Sequence, residues 1–348
     1  MNAEQPSADI ATRKAEHIDL VLNEDVEFHR SAGFDRIEFV HEALPDLSLD
    51  ELDLSTQFLG RPLAAPLVVS GMTGGTERAA EINRRIAAAV ASLGLGMGVG
   101  SQRILAERPA VLNSFQVRSL APNILLIANL GAVQLNYGFA ADDCRRLIDS
   151  IGADALALHL NPLQEAIQPG GNTEFRGLLG KIAEVCRRLG RPVIVKEIGC
   201  GISGPTARRL VEAGVSAIDV GGAGGTCWTD IEGRRSTSPE TRAVAATFRE
   251  WGIPTADAIR AVRDACPTSP IIASGGLRNG LDIAKSLALG ADLAAVAGPV
   301  LKAAVESSDA ARELLSRFIR ELRLAMFCTG SPRPTDLRRA ITAEAIED

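Results

Sequence analysis

The chain has 348 residues, 46% of them hydrophobic, and its 37 basic against 43 acidic side chains leave a formal net charge of −6. That length is generous for one ordinary domain and comfortable for one large barrel with additions. No block of like charge stands out and aromatic residues make up only 4%, so neither a nucleic-acid footprint nor a base-stacking platform is present, and nucleic acid is excluded as a partner.

Residues 1 to about 12, which carry Pro6, read as a mobile tail. The opening MNAEQPSADIATRKAEH lacks the apolar core of a signal peptide, and no apolar run reaches membrane-spanning length. A cytoplasmic protein with no membrane partner is therefore expected. Cys144, Cys186, Cys200, Cys227, Cys266 and Cys328 form no C-x-x-C pair and no zinc-spaced cluster, which reads as unpaired thiols in a reducing compartment. From Thr12 to Ala64 the pattern is mixed, with a helical opening and several Pro or Gly breaks.

After Ala65 short apolar runs alternate with longer amphipathic stretches. The runs are APLVVSGM (65–72), LGMGVGS (95–101), ILLIANLG (124–131), ALALHLN (155–161), PVIVKEIG (192–199), AIDVGG (217–222), PIIASGG (270–276) and LAAVAG (293–298). Near-continuous apolar strands of this kind are buried on both faces, as parallel strands are. Between them lie helical patterns such as ERAAEINRRIAAAVASLG and EFRGLLGKIAEVCRRLG, ending at Gly94 and Gly190, where a C-cap glycine is expected. Eight strand–helix units predict an α/β fold, a (β/α)₈ TIM barrel with an N-terminal extension, over a doubly wound open sheet. The expected division is residues 1–64 as an extension contributing to the barrel mouth, 65–330 as the barrel and 331–348 as a C-terminal tail. Residues 223 to about 255 break the rhythm as a long polar loop, a length that is usually functional or disordered.

The active site of such a barrel lies at the C-terminal ends of its strands. There the sequence places Ser70 to Gly75, Ser101-Gln102-Arg103, Asn129, the run His159 to Glu165, and Lys196-Glu197. Helix caps and turns explain some of these, but not so many polar strand ends together. The seventh and eighth runs lead into Gly275-Gly276-Leu277-Arg278 and Ala297-Gly298-Pro299, the two loops that frequently form a phosphate site in barrels. Glycine lets backbone N–H groups approach anionic oxygens, and a following helix N-terminus adds its dipole. A third glycine-rich loop, Gly221 to Thr226, is not a dinucleotide fingerprint, since it sits sixth in the barrel with no helix starting at once. It reads as backbone approaching a ligand shared with the last two loops. Lys196, inside an apolar strand, must reach a partner at the mouth. That partner is either a strand-end carboxylate such as Glu197 or an anionic cofactor whose reduced ring the cation stabilises.

With these residues in hand, the sequence resembles type 2 isopentenyl-diphosphate delta-isomerase, a flavin-dependent barrel enzyme of isoprenoid synthesis. The motifs are RKAEH at 13–17, SGMTGG at 70–75, GVGSQR at 98–103, ANLGA at 128–132, HLNPLQE at 159–165, VKEIG at 195–199, VGGAGGTCW at 220–228 and SGGLRNG at 274–280. They run from Arg13 to about Gly330 and are specific in combination, not singly. The resemblance implies interconversion of isopentenyl and dimethylallyl diphosphate, using FMN that must be reduced, commonly by NADPH, and Mg²⁺. It implies FMN contacts at Gly71, Met72, Thr73, Ser101, Asn129, Lys196, Thr226, Gly275, Gly276, Leu277, Arg278, Ala297 and Gly298. The substrate diphosphate would meet Arg13, Lys14, Ser101, Gln102, Arg103 and Asn161. Gln164 would touch the substrate, and Glu165 would hold magnesium. Lys196, Gln164 and His159 are the implied catalytic residues. The residue types suit these tasks, because cations and Mg²⁺ neutralise a diphosphate and a hard cation prefers carboxylate oxygen and water.

Isomerisation adds a proton at one end of an allylic unit and removes another two carbons away, through a tertiary cation that needs an electron-rich neighbour and a dry site. The resemblance implies that reduced FMN supplies this, its N5 region serving as acid or base with no net redox change. Trp228 and Glu232 are expected to close over the pocket, against the alternative of a surface loop. Cys227, after GGT, superficially matches the nucleophile of inosine-monophosphate dehydrogenases but reads as structural. A 2-hydroxy-acid oxidase would need a histidine and arginine late in the barrel, whereas the four histidines are His17, His29, His41 and His159. A non-enzymatic phosphate sensor leaves the polar strand ends unexplained. The family commonly self-associates as homotetramers or homo-octamers, and that is the expectation here.

Overall fold

The computed structural model describes residues 10–341. Helix α1 (Ile10–Asn23) opens the described chain, followed by an antiparallel hairpin of β1 (Thr56–Phe58) and β2 (Arg61–Leu63). Eight parallel strands follow: β3 (Leu67–Val69), β4 (Gly96–Gly98), β5 (Leu126–Gly131), β6 (Ala155–Leu160), β7 (Val193–Glu197), β8 (Ala217–Asp219), β9 (Ile271–Ser274) and β10 (Leu293–Val296). They close into a barrel in chain order, β10 pairing β3. Each of the eight apolar runs supplies one strand, so the closed barrel expected from the sequence is what forms. The helices after α1 are α2 (Glu77–Leu93), α3 (Ala141–Ile151), α4 (Pro162–Ile167), α5 (Leu178–Leu189), α6 (Gly204–Glu212), α7 (Trp228–Arg235), α8 (Pro239–Thr247), α9 (Thr255–Ala265), α10 (Gly280–Ala288), α11 (Gly298–Glu306) and α12 (Ser308–Cys328).

Helix α2 shows how local sequence sets the boundaries. Thr76 caps its N-terminus by accepting from the Ala79 N–H, and Gly94 ends it in the left-handed conformation at φ 64°. Residues 223–255 correct the sequence reading: this stretch is not a structureless loop but carries α7 and α8. Each starts at a side-chain cap, Cys227 accepting from the Asp230 N–H and Ser238 from the Thr241 N–H, with Pro239 in the first turn of α8.

Side chains alternate along each strand between barrel interior and helical shell. Leu126, Leu156, Val195 and Ile218 face the helices, while Val68, Ile127, Ala157, Ile194, Ala217, Ile272 and Ala295 pack together inside. Many interior residues are alanine, and the space they leave is filled from below. Phe58 and Leu63 of the hairpin join the cluster of first inward residues, Leu125, Ala155, Ala217 and Leu293. The hairpin turns through Leu59 (φ 48°) and Gly60 (φ 79°). A two-residue turn with both φ positive matches strand twist but strains a leucine, and Leu59 is held by packing against the same floor. Phe58→Ala is therefore expected to lower stability by about 3–5 kcal/mol. An unchanged urea midpoint would show that the floor does not depend on this plug.

Two aspartates anchor the barrel four strands apart. Asp154 accepts from the Leu126 N–H and pairs with Arg61 and Arg118, and Asp292 accepts from the Ile271 N–H and pairs with Arg263 and Arg338. Arg338 belongs to a 3₁₀ turn at Pro334–Arg339, after which Ile341 bridges Phe39 of the extension. Residues 10–12, read from sequence as the end of a mobile tail, are the first turn of α1, while 1–9 and 342–348 lie outside the described residues. The extension reaches the strand ends: the Cys227 N–H donates to Val26 O, the Phe28 N–H to Gly225 O and the Ala256 N–H to Ala32 O.

Candidate active site

The same alternation that builds the floor builds the site. Two residues beyond Ile127, Ala157, Ile194, Ala217 and Ile272 stand Asn129, His159, Lys196, Asp219 and Ser274, so the next layer up the barrel is polar. Above it opens a cavity of about 240 Å³, walled by strand-end loops and by Arg13, Lys14, His17 and Ile18 of α1. All thirteen residues expected to contact FMN line this cavity, as do His159, Asn161, Gln164, Glu165, Arg103, Trp228 and the two basic residues of α1.

Gln102 does not. Its side chain is fully buried, its amide nitrogen donates to Leu147 O (3.1 Å), and its amide oxygen accepts from the Asn129 N–H (3.1 Å). The expected diphosphate contact is thus corrected: both ends of the amide are spent on the protein, and its effect is to fix Asn129. Asn129 Oδ1 in turn meets His159 Nδ1 at 2.8 Å. An amide oxygen accepts only, so Nδ1 carries the proton and Nε2 keeps its lone pair. Burial, then the charges of Lys196 and Lys14, push the imidazole down to about 3, so His159 is neutral at working pH.

Around Glu165 lies a second network. Glu165 Oε2 accepts from the Asn172 N–H (2.6 Å) and Oε1 from Asn161 Nδ2 (3.1 Å), which also donates to Gln164 Oε1 (2.9 Å). Asn161 Oδ1 and Asn172 Nδ2 are buried without partners among the described residues. Gln164 Nε2 donates to Glu232 Oε1 (2.9 Å), where His17 Nε2 also meets it (3.0 Å), and Arg235 reaches Glu232 Oε2 at 2.5 Å. Trp228 lies edge-on to His17, with ring centroids 5.1 Å apart. Burial would raise the Glu232 carboxyl, but His17, Arg235 and Gln164 together hold it at about 2. Helix α7 therefore does not lie as a surface loop; it places Trp228 on the cavity wall and a fully buried Glu232 behind Gln164.

The cations divide into two kinds. The guanidinium groups of Arg13 and Arg103 line the cavity and have no hydrogen-bond or ion-pair partner among the described residues. Burial and the nearby Arg103 charge push Arg13 down, opposed by Glu232 and Glu165. Lys14 is already engaged, donating to Gly74 O (3.0 Å) and Ser101 O (2.7 Å) over the Phe115 ring. Burial, then Arg13, push its ammonium down to about 7.

Lys196 Nζ donates to the Glu197 carbonyl (2.8 Å) and lies 3.8 Å from Asp219 Oδ2. The Glu197 carboxylate, the partner suggested by sequence, is held instead by its own loop: Oε2 accepts from the N–H groups of Ile198, Gly199, Cys200 and Gly201. In the last two loops, the N–H groups of Gly276, Leu277 and Gly298 donate to no described acceptor, and α11 starts at Gly298. A side chain at Gly275 (φ 105°) would meet Gly222 O at 2.1 Å. The glycines at 221, 222 and 224 likewise give way to Glu197, Thr255 and Ala32, so that loop closes on protein backbone more than on a ligand. Arg278 pairs with Glu27 of the extension at 2.7 Å. Cys227 caps α7 and donates to Arg249 O (3.2 Å), and burial raises its thiol, which fits the structural reading.

Sequence reading passed over His17, Asn172 and Asp219. Asp219 was accessible from strand period alone, two residues after inward-facing Ala217. His17 and Asn172 gave no such signal, because the partner of His17 is distant in sequence and Asn172 acts through its own backbone N–H. Among the described residues no three His, Cys, Asp or Glu side chains group to hold a metal. The Glu165 carboxylate lies beside the side-chain amides of Asn161 and Gln164, a donor set suited to a hard cation that keeps waters. No described helix is long and apolar enough to cross a membrane.

Comparison with known proteins adds to this geometry. Residues 166–344 match the family model described as FMN-dependent dehydrogenase. An isopentenyl-diphosphate delta-isomerase from a Nostoc species is 50% identical over 98% of both chains. One from a Synechococcus species is 53% identical over 94% of both. A solved structure of mandelate oxidase superposes with a TM-score of 0.64 at 18% identity, covering 96% of this chain and 97% of that one, a likeness of fold.

Proposed function

Because the chain belongs to the isopentenyl-diphosphate delta-isomerase family, we propose that it interconverts isopentenyl and dimethylallyl diphosphate in this cavity, with FMN reduced by NADPH and with Mg²⁺ on the diphosphate. One observation supports the reading: the cavity is lined by two separate sets of groups suited to anions. Arg13 of α1 and Arg103 after β4 line the cavity with no hydrogen-bond or ion-pair partner among the described residues, Glu165 follows β6, and the N–H groups of Gly276, Leu277 and Gly298, which donate to no described acceptor, follow β9 and β10. In an eight-stranded ring β6 and β10 are diametrically opposed. One set suits the FMN phosphate and the other the substrate diphosphate.

The residues fit both groups. Thr73 Oγ1 is buried without a partner among the described residues and stands free for a ligand in the cavity it lines, while Gly71 and Gly100 let the two strand-end loops close on each other, since side chains there would strike Val99 O at 2.1 Å and Thr73 backbone at 2.7 Å. Glu165, with the orphaned Asn161 Oδ1, supplies oxygen donors for Mg²⁺. When bound, reduced FMN supplies an electron-rich ring and a proton-exchanging nitrogen. The chain's own part is to bind, orient and exclude water. Arg13 and Arg103 neutralise the diphosphate, Gln164 is held between Asn161 and Glu232 against the substrate, and neutral His159 presents an acceptor at Nε2. A hydroxy-acid oxidase reading lacks a histidine at the ends of β8 to β10.

The test is anaerobic incubation with FMN, NADPH, Mg²⁺ and isopentenyl diphosphate, with detection of dimethylallyl diphosphate. No product with flavin bound and reduced would sink the proposal. A second expectation concerns Lys14. Its ammonium is protonated below about pH 7 and neutral above, so kcat/KM should fall about tenfold per pH unit above that value. Lys14→Arg should move this limb beyond pH 9, and a flat wild-type profile from 7 to 9 would overturn a diphosphate-binding role for Lys14.

A further inference from the structure

Asp219 is a buried acidic group that the proposed reaction does not use. It projects from β8 into the barrel, 4% exposed, with Oδ2 3.8 Å from Lys196 Nζ and Oδ1 accepting from Ser274 Oγ of β9. It does not border the main cavity; with Lys196 it borders a void of about 20 Å³ directly beneath. Lys196 reaches both spaces. The Glu197 carboxylate is also within electrostatic reach of Lys196, but four N–H donors offset it. Burial raises the Asp219 carboxyl, opposed by Lys196 and Ser274.

From the Lys196–Asp219–Ser274 arrangement we infer that Asp219 is a positioning residue that sets how strongly Lys196 favours the reduced over the oxidised flavin. The inference rests on the reading that FMN occupies the cavity above Lys196. An oxidised flavin ring is neutral, so a buried Lys196 needs Asp219 as its counter-charge. Two electrons and one proton leave the ring with a net negative charge, and the ring then competes with Asp219 for the same ammonium. Asp219 therefore restrains the preference for the reduced form, and Ser274 strengthens that restraint by stabilising the carboxylate.

The experiment measures the flavin midpoint potential of holoenzyme variants by anaerobic equilibration with a redox dye of known potential, read from the flavin spectrum without substrate. Asp219→Asn should bind reduced FMN about tenfold more tightly relative to oxidised FMN, which for a two-electron couple is a midpoint about 30 mV more positive. Ser274→Ala, which leaves the carboxylate in place, should shift the midpoint in the same direction by less. It decides the matter if Asp219→Asn fails to fold. An unchanged or more negative midpoint in either variant with flavin bound overturns this inference alone. A wild-type protein that binds no FMN overturns the cofactor reading and this inference with it.

Discussion

Glu165→Gln should lower kcat/KM by about 10²–10³-fold and abolish the Mg²⁺ response while leaving FMN uptake unchanged. The substitution keeps the shape and removes the charge. Both carboxylate oxygens are held by neutral donors, the Asn172 N–H and Asn161 Nδ2, so in the native protein the charge is oriented but not cancelled. Among the described residues no cluster of three acidic, histidine or cysteine side chains stands ready to share a cation's charge, so loss of the Glu165 charge should be felt directly. Glutamine also sets an NH₂ against one of the two clamping donors, which turns the amide out of register. The N–H groups of Gly276, Leu277 and Gly298 proposed for the FMN phosphate follow β9 and β10, and β10 lies opposite β6 in the ring, so FMN uptake should not register the change. Turnover against Mg²⁺ concentration and an FMN absorbance titration on the same variant separate the two sites. An unaltered Mg²⁺ half-saturation would remove Glu165 from the metal.

Much of this architecture was readable because it rests on periodicity. The eight apolar runs became eight strands, and the polar residues beyond them became the inner polar layer, since both follow from alternation along buried parallel strands. Failures came where direction or distance decides. Gln102 sits at a strand end like Arg103, but nothing in the sequence says that its amide turns inward to Leu147 while Arg103 stays in the cavity. Lys196 was given Glu197 as a possible partner by adjacency, whereas successive residues on a strand face opposite ways and Asp219 on the next strand is what meets it. Residues 223–255 read as loop because α7 and α8 have no clear apolar stripe. Their start signals, a side-chain cap at Cys227 and the Ser238-Pro239 pair, were present but unsupported by periodicity. His17 and Glu232 are 215 residues apart, and only the closed barrel brings them together.

Glu232→Gln is expected to cost about 3–5 kcal/mol of stability and to reduce turnover about 10²-fold through a single lost charge. Glu232 is fully buried and takes three donors: His17 and Gln164 on Oε1 and Arg235 on Oε2. Glutamine can still accept the first two through its oxygen, but then its NH₂ faces the Arg235 guanidinium, donor against donor. Turning the amide over relieves Arg235 and strands His17 and Gln164. Either way Gln164 loses the anchor that aims it into the cavity, and a shift of about 1 Å in a positioning group is enough for a loss of that size. The pH dependence distinguishes this from a generic packing defect. The folded carboxyl, at about 2, lies below its unfolded value of about 4.3, so its stabilisation is present above the unfolded value and lost as pH falls through the folded one. The stability gap between wild type and variant should therefore be constant from about pH 5 to 8 and shrink between about pH 4 and 2. A gap that stays constant down to pH 2 would mean that the charge of Glu232 is not what holds α1, α4 and α7 together at the mouth of the barrel.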